Sequence, residues 1–435
     1  MKPLFIISCP IDTYSGYGAR SRDLVKSIIE LDKYNVKILP QRWGNCPWNF
    51  IEENKEEWGF LTPHLLPPGN NIPQQPEIWA QVTVPNEFQP VGKYNIGFTA
   101  GIETTRVDPS WVEGINRMDL NLVSSKHSKE VFLNSKYEKR DPNTNQVVDL
   151  VEVKKPIEVL LEGVNLEKYF PKKSTFDLSQ VKEDFAYLFL GHWMQGALGE
   201  DRKNVGLLVQ LFLESFKDRK KTPALILKCS GAGSSYMDRD EMLRRIESIR
   251  GAVAQKARTL PNIYLLHGDF TDQEINELYN HKKIKAMISL TKGEGFGRPL
   301  LEFSLTKKPI ISTNWSGHID FLHEDFSTLI GGELKQVHQT AVVNNIIIPE
   351  SEWFAPSIQE VVYYLRDVFE NYKGYKERAV RQAFKSKNEF SFDHMKSKID
   401  NYLTNAVPEF PKQVQIQLPK VKKVNKPTLK KVKHD

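Results

Sequence analysis

Two glutamates, Glu294 and Glu302, are separated by seven residues in the stretch 291–304, TKGEGFGRPLLEFS. Gly293, Gly295 and Gly297 alternate through its first half, where the backbone can turn tightly and approach a ligand closely. Pro299 suits the first helical position, which predicts Glu294 on a loop and Glu302 in the first helical turn. Free N–H groups at such a helix start favour a phosphate or a polyhydroxyl ligand. An ordinary α/β crossover is also built from strand, glycine turn and helix, so this stretch alone leaves both readings open. A second charged pair, Arg202–Lys203, precedes the apolar run VGLL. Arginine can grip phosphate oxygens with two parallel hydrogen bonds, and lysine adds a compact charge. Helix-start solvation is the plainer alternative for this pair.

Elements able to position these residues are legible on both sides. PLFIISC reads as a buried strand, and SGYGARSRDLVKSIIEL as a glycine turn with Gly16 and Gly18 running into a helix. A return strand at 35–39 completes the opening of a doubly wound α/β domain, whose turn would lie at the carboxyl end of the first strand. Residues 41–90, with Trp43, Trp48, Trp58 and Trp79 among many prolines, read as a long irregular insertion. Trp43 and Trp48 could stack on sugar rings or bases, or simply pack the insertion down. Segments 94–136 continue the strand and helix alternation, 138–156 reads as a surface loop, and 172–183 as a linker.

Apolar runs at 185–190, 224–227, 263–266, 286–290 and 310–312, with helical segments between them, predict a second parallel sheet covered on both faces. Residues 357–373 and 375–404 read as helices. The expected organisation is an N-terminal Rossmann-like domain over 1–175, a C-terminal one over 180–385, a helix over 386–407 packing back on the first, and a lysine-rich tail over 408–435.

Length and composition suit a soluble protein of two or three domains: 435 residues, 40% hydrophobic and 26% charged. No apolar run approaches the roughly 18 residues of a membrane span. Cys9, Cys46 and Cys229 show no metal spacing and, with the short apolar start, suggest a cytoplasmic protein. Asp238 and Asp240, the one DxD-like pair, fall in a polar helical segment, so no metal is expected. Residues 412–435 carry eight lysines against Asp435; taking this local +7 from the chain's +6 leaves −1. Such a tail would contact polyanions or an anionic membrane surface, or serve solubility alone.

Six stretches in order over most of residues 4–325 resemble the retaining glycosyltransferases of GT-B architecture, in particular the large family-4-like group. They are SGYG, SSKHSKEVF, LLEGVNLEKYFP, DRKNVGLLVQLF, HGDFTDQEINELY and EGFGRPLLEFSLTKKPIISTNWSGHIDF. The resemblance implies two Rossmann-like domains facing across a cleft. It implies a hexosyltransferase-type enzyme with a nucleotide sugar as co-substrate, a carbohydrate or other hydroxyl acceptor, retention at the anomeric carbon and no further cofactor. Arg202 and Lys203 would neutralise the donor diphosphate, although the group often carries its arginine earlier, where this chain has GHWMQGALGE. Glu302 would bind the ribose and Glu294 the transferred sugar. The amides of Gly295, Phe296 and Gly297 would bind sugar or phosphate oxygens, and Gly16 and Gly18 would bring the N-domain backbone to the diphosphate. Arg298 stands where the group commonly has an apolar residue, so a phosphate or acceptor contact and simple solvent exposure are both open. Glu103, in GIETT, is the acceptor-side candidate of the N-domain. His127 and His192 read as structural, while His318 sits where donor contacts could form. Alternatives are an inactive GT-B binding subunit and a nucleic-acid-modifying glycosyltransferase that uses the tail.

Overall fold

The computed structural model describes residues 2–67, 72, 74–194, 196–231, 233 and 235–411. The lysine tail from 412 onward lies outside the described residues. The run LFIISC becomes the strand Leu4–Cys9, buried at every position because neighbours flank it and helices cover both faces. Across the first sheet the strands run Asn35–Pro40, Leu4–Cys9, Ile78–Val82, Tyr94–Thr99, Leu120–Val123 and Ile157–Val159, all parallel. The chain reverses its direction of travel between Leu4–Cys9 and Ile78–Val82, leaving a crevice outside their carboxyl ends.

The second sheet repeats the plan. Its order is Ile263–Leu266, Ala224–Ser230, Ala186–His192, Ile284–Ser289, Ile310–Thr313 and Thr328–Ile330, again all parallel, with the reversal between Ala186–His192 and Ile284–Ser289. The helix Val205–Phe216 covers it with nine buried residues, among them Leu208, Phe212 and Phe216. A small antiparallel pair, Gly332–Gln336 with Glu352–Pro356, reaches the first domain, where Thr105 N donates to Glu352 O at 2.9 Å and Glu352 N to Thr105 Oγ1 at 2.9 Å.

Several boundaries differ from expectation. The insertion ends before Ile78, because Trp79 belongs to an inner strand and is buried. Trp58 is buried as well, among Phe50, Phe60 and the guanidinium of Arg22. The polar segment after Ser135 is a hairpin, Tyr137–Arg140 with Val147–Val151, which is largely solvent-exposed, its apolar Val147, Val148 and Leu150 included. The two long helices expected near the C-terminus are three: Ile358–Glu370, Tyr372–Glu389 and Phe392–Ala406. The last break falls where Phe390 turns into the second domain's core and Ser391 caps the next helix. That final helix buries Met395, Ile399 and Leu403 in the first domain's core, and Tyr402 donates to Val159 O at 3.0 Å.

Candidate active site

The basic pair is placed by the start of helix Val205–Phe216. Asp201 accepts from Val205 N at 3.1 Å, and Asn204 Nδ2 donates to Leu290 O at 2.8 Å. Lys292 N donates to Arg202 O at 2.8 Å, so the Arg202–Lys203 turn is stitched to the loop that follows strand Ile284–Ser289. Both segments leave the carboxyl ends of the strands flanking the second sheet's reversal, where open α/β sheets bind ligands.

Glu294 lies on that loop, its N–H donating to Ser316 Oγ at 2.8 Å and its carbonyl accepting from Gly317 N at 2.9 Å. Its carboxylate pairs with Lys203, and both side chains are nearly buried. Burial works to raise the Glu294 carboxyl, but Lys203 and Arg202 prevail and hold it below the usual carboxylate range. Arg202 reaches into the first domain instead, Nη1 lying 2.6 Å from Glu103 Oε1. Gly293 is required at this seam, since a side-chain carbon there would stand 2.2 Å from Glu103 O. Four of the expected site residues, Arg202, Lys203, Glu294 and Glu103, therefore meet at one point between the domains.

Gly297 has φ +92° and precedes the helix Arg298–Ser304. Arg298 is its first residue and Pro299 its second, so Glu302 stands one position past the expected first turn. The Phe296 side chain is buried in the second domain's core, 5.0 Å from the Phe321 ring, so only its backbone is placed to meet a ligand. Arg298 points neither to solvent nor at the Lys203 cluster. It bonds Glu302 through Nε at 2.9 Å, pairs with Asp23 on helix Gly16–Glu30, and lies 3.6 Å from Glu162. Burial opposes its charge, yet Asp23, Glu302 and Glu162 hold it more firmly protonated than a free arginine. Glu302 is pushed up to about 7 by burial, with Asp272 and Asp23 adding to the rise against the pull of Arg298.

On the first domain, Gly16 has open space around it, whereas Gly18 packs against its own loop: a side-chain carbon would lie 2.3 Å from Thr13 O. Ser15 caps this helix by accepting from Gly18 N at 2.9 Å. Tyr17 carries Trp43 stacked on its ring at 4.0 Å, and its hydroxyl accepts from Ala100 N at 3.0 Å, at the root of the Glu103 loop. Trp48 is more exposed, with the Arg42 guanidinium 5.8 Å from its ring.

Two histidines read as structural are placed differently. His192 ends its strand exposed beside the basic pair, its imidazole held toward neutrality by the protein packed around the ring and by Lys203 and Arg202. His127 is driven by burial down to about 4, and its Nε2 has no hydrogen-bond partner, so it is not a fully satisfied core histidine. His318 is fully buried beside the glutamate loop. Sequence reasoning missed Asp23 and Glu162, which carry no local signal. Among the described residues no group of three or more His, Cys, Asp or Glu is arranged to hold a metal ion.

No family model matches the chain, and no curated protein matches it. Solved structures do share its fold. HepE of Anabaena, solved with UDP-glucose, aligns at TM-score 0.57 and 12% identity over 92% of this chain and 99% of its own. A glycosyltransferase from Rickettsia africae aligns at 0.57 and 14% identity, over 93% and 98% respectively. Sucrose-phosphate synthase from Thermosynechococcus elongatus aligns at 0.58 and 11% identity, over 93% and 98%. The fold is thus the GT-B architecture, two Rossmann-like domains facing across a cleft.

Proposed function

We propose that the chain is a glycosyltransferase that moves a sugar from a nucleotide sugar to an acceptor hydroxyl, with retention and without a metal. The observation that carries this reading is the convergence of Arg202, Lys203 and Glu294 at the sheet reversal, facing Glu103 of the other domain. Cleaving the donor's glycosidic bond leaves negative charge on a diphosphate, and fixed cations in a water-poor cleft stabilise that charge most effectively. Lys203 and Arg202 take this part. Glu294 lies beside them to bind the sugar's hydroxyls and to stabilise positive charge growing at the anomeric carbon. Glu302, one helix further, accepts from the ribose hydroxyls, and the backbone from Gly295 to Gly297 meets the sugar or phosphates. Trp43, Trp48 and Glu103 face the acceptor side.

UDP is the first nucleotide to try, because structures of similar fold were solved with it. The test is nucleotide release from UDP-, GDP-, ADP- and CMP-sugars with and without EDTA, followed by assignment of the product's anomeric configuration. Turnover of one donor in EDTA with retained configuration is the expected result. A panel in which no donor binds or turns over refutes the proposal, and binding without turnover for any acceptor identifies an inactive subunit.

A further inference from the structure

His318 belongs to the segment 314–320 that carries the turn after strand Ile310–Thr313, and its side chain is fully buried. Its Nε2 lies 2.6 Å from the carbonyl oxygen of Thr313 and 3.1 Å from Ser312 Oγ. A carbonyl only accepts, so the proton of the neutral ring sits on Nε2. Nδ1 is then a bare lone pair, and it has no partner. Leaving such a group buried and unpaired costs about 1–3 kcal/mol, which makes an orphan of this kind a sign of a missing ligand atom.

Its surroundings say which ligand. A side-chain carbon on Gly297 would stand 2.9 Å from His318 Cβ and 3.6 Å from Glu294 Cγ, so the two side chains flank one glycine. Glu294 and Lys203 both act electrostatically on the imidazole. Burial, seconded by Lys203, keeps it neutral against the pull of Glu294, so the lone pair persists at ordinary pH. A neutral acceptor next to a carboxylate suits an uncharged O–H donor and offers nothing to a phosphate oxygen, which itself only accepts.

We propose that His318 Nδ1 accepts a hydrogen bond from a hydroxyl of the donor sugar, making His318 a specificity-determining residue. The inference rests on the glycosyltransferase reading, with the sugar rather than the nucleotide as the group recognised. A hydroxyl in the wrong configuration leaves the lone pair unpaired, so sugars are sorted by the position and orientation of one oxygen.

Two substitutions separate this role from packing. His318→Gln keeps an N–H able to reach the Thr313 carbonyl and removes the Nδ1 acceptor; His318→Asn keeps an acceptor near the Nδ1 position. Affinities for UDP, GDP and ADP, and for the sugar donors of whichever nucleotide binds, are measured by calorimetry. His318→Gln is expected to bind the free nucleotide as wild type does and to lose about tenfold for its best sugar donor. His318→Asn should recover part of that loss, and a deoxy-sugar donor lacking the contacted hydroxyl should bind wild type and His318→Gln equally. Equal losses for nucleotide and nucleotide sugar, or no loss for either, overturn the inference while the enzyme reading stands. If wild type binds no nucleotide, the enzyme reading falls and this inference falls with it.

Discussion

Arg202 and Glu103 meet from opposite domains, with Nη1 2.6 Å from Oε1. Under the proposed function, the guanidinium assigned to the donor diphosphate is thus paired with a carboxylate of the facing domain, and an incoming donor would have to displace that carboxylate. Glu103→Gln removes the competing charge. It should tighten binding of the nucleoside diphosphate several-fold by calorimetry, and added salt should narrow the gap to wild type, because the competition is electrostatic. Unchanged or weaker binding would show that Glu103 does not compete for Arg202.

Lys203 and Glu294 form a nearly buried pair inside one domain. Removing one member of such a pair costs about 3–5 kcal/mol, since the other charge stays behind. Lys203→Ala should lower Tm and reduce kcat by about 100- to 1000-fold, the cost typical of losing one group that stabilises developing negative charge. Lys203→Ala with Glu294→Gln should regain stability but not activity, a split visible in parallel melting and turnover measurements.

Arg298 gathers Asp23, Glu162 and Glu302 from three separate elements. Arg298→Leu leaves three carboxylates facing one another and should lower Tm by several degrees. Asp23→Asn in the same chain should restore part of it, as a double-mutant cycle would register. Arg298→Lys should rescue poorly, because one ammonium cannot reproduce the planar fork that reaches all three.

Glu302 supplies a pH prediction. Its folded-state value, about 7, lies above the ordinary 4.5. A raised carboxyl binds its proton more tightly in the folded chain, so its contribution to stability is complete below about 4.5 and is lost as pH rises through about 7. Melting temperature followed over that window should fall more steeply for wild type than for Glu302→Gln, which carries no titrating group there. Parallel slopes would contradict the assignment.

Much of this was legible in the chain before folding. Short apolar runs such as LFIISC and IKAMIS, too short for a typical helix, read as inner strands of a covered sheet, and the glycine turns after them mark the carboxyl ends. The spacing of Glu294 and Glu302 and the adjacency of Arg202 and Lys203 were likewise visible. What escaped was long-range pairing: Arg298 and Asp23 are 275 residues apart, and nothing local in either announces the other. Trp79 falls within the apparent insertion because prolines precede its short strand. The hairpin Tyr137–Val151 reads as a loop because its apolar residues Val147, Val148 and Leu150 follow a polar run and lie exposed, without the alternation of a half-buried strand.

The proposed function requires the cleft beside Glu294 and Glu302 to bind a nucleotide sugar. Calorimetric titration of wild type and Glu302→Ala with UDP-, GDP-, ADP- and CMP-sugars tests it most directly. One donor is expected to bind wild type, with its affinity falling at least about tenfold in Glu302→Ala, where the ribose would lose its proposed carboxylate partner. No binding by any donor, or equal binding by the two proteins, would contradict it.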